Sequence, residues 1–339
     1  MRIETTQNMI LKQAKQNGID VIIIIMVILA ITLPSMFLAQ TRQYILPPEN
    51  GTPLFNTIYN FLFEGGISVW TQLLSLLLLT AELSVLVLLN SDFELTRAKP
   101  TLFAVVFLLS ALSYIPCNTL LPEQIANIAI TLGLIKLFAC HSMDNARYTF
   151  FDAGLFFGIA VLFCSPAVIM LPVGIVMIAI FRPINGSELL IFILGFFAPV
   201  FFYTAGYYLV EGTLQPLIDY ALQVIDTTRE HTIDDNSIIC LIVDGVQLAI
   251  ASVLILGEYP KYNLFHNRAY KVLLIMFLAN CSIYFFPYFS LQAMRMTALP
   301  VTILFVTVFY ESRPSVWLEF FFGLFILANL SLHILWYRL

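Results

Sequence analysis

Eleven apolar runs follow one another from residue 19 to residue 336, and the polar stretches between them are short except at 39–65 and 211–236. A chain of this pattern has few folds open to it. Backbone amides left unpaired against lipid are costly, so a run facing hydrocarbon must close its hydrogen bonds within itself as a helix. The runs are 19–38, 66–89, 101–115, 124–140, 150–164, 166–181, 189–210, 237–256, 272–288, 297–310 and 316–336. Several fall short of the roughly 20 residues that a perpendicular crossing takes. Short spans point to a protein-lined cavity or a locally thinned bilayer. The expected fold is all-α: a polytopic transmembrane helical bundle of about eleven spans, forming one integral membrane domain over 1–339.

Charge supports this reading. Only 11% of the 339 residues are charged and 60% are hydrophobic, whereas a soluble domain carries about 25% charged residues. The net charge of −5 says little about partners, because Lys and Arg placement sets membrane orientation. No basic tract suggests nucleic acid. The five cysteines, Cys117, Cys140, Cys164, Cys240 and Cys281, form no CxxC and each lies in or beside an apolar run. They read as small buried hydrophobes, and no metal site follows. The chain carries no P-loop, GxSxG or HExxH motif, no Arg-rich voltage-sensor helix, and no acidic chain of the kind a proton relay uses. No cofactor is expected. The first run follows Arg2, Lys12 and Lys15 and lacks a small-x-small cleavage pattern after it, so it reads as a retained first span.

Orientation turns on 150–181, which is either one helix broken at Pro166 and Pro172 or a hairpin turning at Ser165-Pro166. With a hairpin and a cytoplasmic start, eleven basic residues fall inside: Arg2, Lys12, Lys15, Arg97, Lys99, Arg147, Arg182, Lys261, Arg268, Lys271 and Arg313. Four fall outside, namely Arg42, Arg229, Arg295 and Arg338. A single helix lowers the contrast to nine against six. The positive-inside rule therefore selects the hairpin, with the amino terminus inside and the carboxyl terminus outside. The two long segments then face outward. In 39–65, Leu54, Ile58, Phe61 and Leu62 share one helical face, the pattern of a helix lying in the membrane interface. The acidic 211–236 has Leu217, Tyr220, Ala221, Val224 and Ile225 at helical spacing, so a second interfacial helix is expected there.

Ionisable residues inside spans are costly, which makes them functional candidates. Glu82 in the second run lies roughly 12 Å from its inner end and Lys136 in the fourth roughly 6 Å from the same side, at 1.5 Å per residue. A Lys side chain spans such a difference, so a structural ion pair Glu82–Lys136 is expected to hold these helices in register. Asp244, His333, Arg295 and Arg42, with Glu49 in the first outer loop, are the candidates for one outward-facing ligand cavity. The plainer alternative is a scatter of interfacial residues with Asp244 held by a neighbouring hydroxyl or amide. Gln72, Asn127, Gln247, Asn280 and Asn329 read as isolated interhelical hydrogen-bonders, and Gly154 with Gly158 as a small-xxx-small packing step.

The stretch Phe151-Asp152-Ala-Gly154-Leu-Phe-Phe-Gly158-Ile-Ala-Val-Leu-Phe-Cys-Ser-Pro166 resembles a segment of an uncharacterised polytopic membrane family of Bacteroidota. Arg182 at the end of the next helix, the Gly195–Pro199 helix and Leu89-Asn90-Ser91 extend the likeness. The resemblance implies a multi-pass protein of a bacterial inner (cytoplasmic) membrane. The Gly154-x-x-x-Gly158 helix, turn and apolar helix also resemble the membrane scaffold of the GT-C glycosyltransferases, which use polyprenyl-phosphate-linked sugars. That family carries an Asp soon after its first span. Here 40–50 has none, and Glu49 is the nearest carboxylate.

Three readings follow. The first is a membrane component, non-catalytic or of uncharacterised activity, on a GT-C-like scaffold, with membrane lipids, other inner-membrane proteins or a polyprenyl-linked lipid as partners. The second is an active polyprenyl-dependent glycosyltransferase with Glu49 as base and Arg295 or Arg42 on the lipid phosphate. The third is a lipid or small-solute transporter.

Overall fold

The computed structural model describes residues 52–63, 69–112, 120–143, 145–183, 185–225, 263–283, 291–311 and 316–338, with scattered positions between 238 and 253. Every regular element among them is helical and none is a strand. In chain order the helices are α1 (Pro53–Phe63), α2 (Val69–Phe93), α3 (Pro100–Leu112), α4 (Pro122–Ala139), α5 (Arg147–Phe163), α6 (Met170–Phe181), α7 (Gly186–Glu211), α8 (Gln215–Ile225), α9 (Leu264–Ser282), α10 (Ala298–Glu311) and α11 (Val316–Arg338). Short 3-10 segments at Cys140–Ser142, Ser165–Ile169 and Leu291–Thr297 adjoin them. The first apolar run, 19–38, lies outside the described residues, and the described positions of the run 237–256 are helical. Three segments, Leu73–Phe93, Gly186–Glu211 and Ala293–Tyr310, are long and apolar enough to cross a membrane, and Pro100–Ala111, Ser165–Phe181 and Glu319–Asn329 are shorter apolar helices.

Local chemistry sets the helix ends. Pro122 stands in the first turn of α4, where a missing N–H costs nothing, and the Leu121 N–H donates to Gln124 Oε1 at 3.3 Å. Asn185 caps α7, its Oδ1 accepting from the Ser187 N–H at 3.2 Å. Between α2 and α3, Asn90 clips the turn in both directions. The Thr96 N–H donates to its Oδ1 at 2.9 Å, and its Nδ2 donates to Thr96 O at 3.1 Å. That clip lets Glu94 hold a left-handed backbone (φ 48°), a conformation that otherwise strains a side-chain-bearing residue.

The segment 150–181 is a hairpin. Arg182, just past α6, donates from Nη1 to Met143 O at 2.7 Å and to Cys140 O at 3.4 Å, and both acceptors precede α5. The α6 chain has therefore returned to the end where α5 began. At that same end Phe93, Phe138, Phe181 and Phe265 form one aromatic cluster, with ring centroids 5.4 to 6.1 Å apart. The cluster joins the last turns of α2, α4 and α6 to the first turn of α9, so α2, α4 and α6 run toward this end and α9 runs away from it. Arg97, Lys99, Arg147 and Arg182 stand at or between the helix ends here and Arg268 and Lys271 in the first two turns of α9, and this is the basic end of the bundle. At the opposite end α1 is tied to the end of α5, where Thr52 Oγ1 donates to Leu162 O at 2.5 Å.

Packing is closest between α5 and α7. A methyl group at Gly154 would overlap Phe192 O, one at Gly158 would overlap Phe196 O, and one at Gly195 would overlap Phe151 O. The three glycines bring the two backbones into contact, as the small-xxx-small spacing predicts. Among the described residues, the segment 293–310 is the centre of the bundle, with 94% of it buried, whereas the apolar core of α7 is 17% buried and lies at the periphery. Its outer face carries Leu190, Leu194, Phe197, Phe201 and Phe202.

Candidate functional site

Three elements meet around one arginine. On α2 the buried positions Ser75, Leu79, Glu82, Leu86 and Leu89 form a single stripe at helical spacing, so Glu82 must point into the bundle. On α4, Glu123, Asn127 and Thr131 repeat every fourth residue and are all buried. The 3-10 segment Leu291–Thr297 brings Arg295 between them. Arg295 Nη2 lies 3.2 Å from Glu82 Oε2 with the two side chains 1% and 2% exposed. Asn127 Nδ2 donates to Glu82 Oε1 at 2.7 Å and reaches Arg295 O at 3.4 Å. Each Glu82 oxygen thus has one donor. On α9, Asn280 Nδ2 donates to Met296 O at 2.9 Å, and Gln124 Nε2 donates to Ser75 Oγ at 3.0 Å.

Taking two charges out of water costs several kcal/mol per ion, and a buried pair recovers that only with good geometry and supporting hydrogen bonds. Asn127 supplies part of that support. Other buried polar atoms here have no partner among the described residues: Glu123 Oε2, Asn127 Oδ1, Asn280 Oδ1 and Arg295 Nε. The amide orientations are fixed, because Asn127 must turn its NH2 toward the Glu82 carboxylate and Asn280 toward a carbonyl. The unpartnered atoms on both are therefore acceptors.

The expected Glu82–Lys136 ion pair does not form. Glu82 lies level with Asn127, and Lys136 stands nine residues further along α4, an axial rise of about 13 Å that exceeds the reach of a Lys side chain. Lys136 instead bonds Asp152 on α5 at 3.2 Å, with side chains 42% and 46% exposed. Glu82 takes Arg295, which the sequence placed in an outer turn as a free anion binder. In the fold that turn is a buried 3-10 segment and the guanidinium is 1% exposed. Arg42, Glu49 and Asp244 lie outside the described residues, and His333 falls within α11 with its side chain outside the description. Glu123 was missed in the sequence. Its signal was the spacing of Glu123, Asn127 and Thr131, one polar face that begins just before the apolar run 124–140 and continues into its first half.

The arrangement can lock three elements together, and it can hold or release charge at Glu123. Its guanidinium is already engaged and enclosed, so it offers no open cradle for a phosphate. No family model, curated protein or solved structure matches the chain. The two resemblances rest on the motifs quoted for them.

Proposed function

We propose that this protein is a multi-pass component of a bacterial inner membrane, non-catalytic, with its amino terminus in the cytoplasm and a GT-C-like helical scaffold. It acts through partner membrane proteins or lipid-linked molecules met in the plane of the bilayer. The observation that carries this reading is the engagement of Arg295 by Glu82 in the bundle interior. The strongest binding group among the described residues is consumed by structure, and what α7 presents outward is apolar side chain. The gathering of basic residues at one end supports the orientation, since Lys and Arg concentrate on the cytoplasmic side. Helices α1 and α8 then lie in the opposite interface.

Photo-crosslinkers placed at Leu194 and Phe201, followed by mild-detergent purification and mass spectrometry, test the reading. The expected result is a specific adduct with one membrane protein or one lipid-linked species. Sugar transfer by the purified protein from a polyprenyl-phosphate donor, abolished by Glu49→Gln, would contradict it. That result would establish the glycosyltransferase reading. One feature favours this second reading: Thr52 holds α1, and with it the end of the first loop, over the end of the bundle that contains Arg295.

A further inference from the structure

Glu123 is the carboxylate that the Glu82–Arg295 pair leaves over. It stands in the first turn of α4, one turn before Asn127, and is 3% exposed. Its Oε2 has no partner among the described residues, and neither do Asn127 Oδ1 and Arg295 Nε. Charge at this end explains why the set is incomplete. Glu82 and Arg295 neutralise each other, so an ionised Glu123 would add one uncompensated negative charge to a dry interior, at a cost of several kcal/mol. The two orphaned acceptors on α4 also lack a hydrogen between them. A single proton supplies both needs, since a carboxylic acid carries an O–H donor where a carboxylate has none.

We propose that Glu123 is a proton-binding site. The hydrogen ion taken up on its carboxylate bonds to Oε2 and donates toward the Asn127 carbonyl oxygen one helical turn on. Among the described residues, Arg295 on the 3-10 segment and the Cys164 thiol in the turn after α5 stand within electrostatic range of it, and Glu82 on α2 is bonded to Asn127, one helical turn on. With the proton in place, Arg295 keeps Glu82 as its partner. When the proton leaves, Glu123 becomes a second anion for the same guanidinium, whose Nε is uncommitted. Release of the proton thus draws Arg295 toward α4 and loosens its hold on α2. The site lies at the end of the bundle opposite the basic cluster, so the proton comes from the aqueous phase on that side.

Infrared difference spectroscopy of the purified full-length protein, titrated from acid to alkaline pH, tests this directly. The wild type is expected to show the C=O stretch of a protonated carboxylic acid that disappears on alkaline titration. In Glu123→Gln that band is lost, and in Glu123→Asp, which keeps the acid, it persists at a shifted frequency. In Glu82→Gln, where Arg295 has lost its partner carboxylate, Glu123 is expected to take its place as the anion and the band to fade at a lower pH than in the wild type. The absence of any such band in the wild type would overturn the proposal. So would a band that survives Glu123→Gln, or one that is unmoved by Glu123→Asp.

Discussion

The two ends of this bundle use arginine in opposite ways. At the basic end, Arg182 and Arg268 remain half-buried and donate to helix-terminal carbonyls, Arg182 to Met143 O and Arg268 to Phe181 O at 2.8 Å, and Arg182 makes only a long contact, 3.9 Å, with the Glu188 carboxylate. Four aromatic rings pack beside them, and water reaches the charges. At the other end Arg295 is enclosed, paired with a carboxylate and ringed by polar atoms that are only partly satisfied. The first arrangement caps helix C-termini, where a positive charge is favourable and cheap to solvate. The second removes a charge from water, which is stable only while each partner keeps the other. An arginine at a boundary finishes a helix, whereas an enclosed one makes three elements depend on each other.

The contrast implies graded costs. Arg295→Met strands the Glu82 carboxylate in the interior and is expected to destabilise the protein by about 3–5 kcal/mol, read as a large fall in melting temperature in detergent. Arg182→Ala removes charged donors from carbonyls at a bundle end and a long contact to Glu188, and should cost about 1–3 kcal/mol, less than the enclosed pair. An equal loss from both would erase the distinction between the ends. The Lys136–Asp152 pair has both side chains over two-fifths exposed, so Lys136→Ala should cost less than about 1 kcal/mol. A larger loss there would mean that this pair, too, is a structural lock.

Much of the architecture was legible in the sequence. Hydropathy placed nearly every described helix to within a few residues, and the basic-residue count selected the hairpin at Ser165-Pro166 that Arg182 then closes. Helix α9 is the exception. It begins at Leu264, eight residues before the apolar run, because its first two turns pack through Phe265 and Tyr270 while carrying His266, Asn267 and Arg268. An apolar-run criterion does not register such turns. The site was harder to read for two reasons. A polar residue's partner depends on the level at which helices cross, and Glu82 and Lys136 fall about 13 Å apart along the bundle. The segment Leu291–Thr297 looks like a surface turn by its arginine, yet it folds inward to meet a carboxylate more than two hundred residues earlier in the chain. Glu123 showed only as a spacing, with Asn127 and Thr131, at the edge of a run that was otherwise apolar.

The central claim is that Glu82 and Arg295 are each other's partner and hold α2 to the centre of the bundle. The stability of Glu82→Gln, Arg295→Met and the double variant in detergent measures it most directly. The account predicts that each single change is severe and that the double variant is more stable than Arg295→Met alone, because no uncompensated charge remains inside. Losses that simply add, leaving the double variant the least stable of the three, would contradict it.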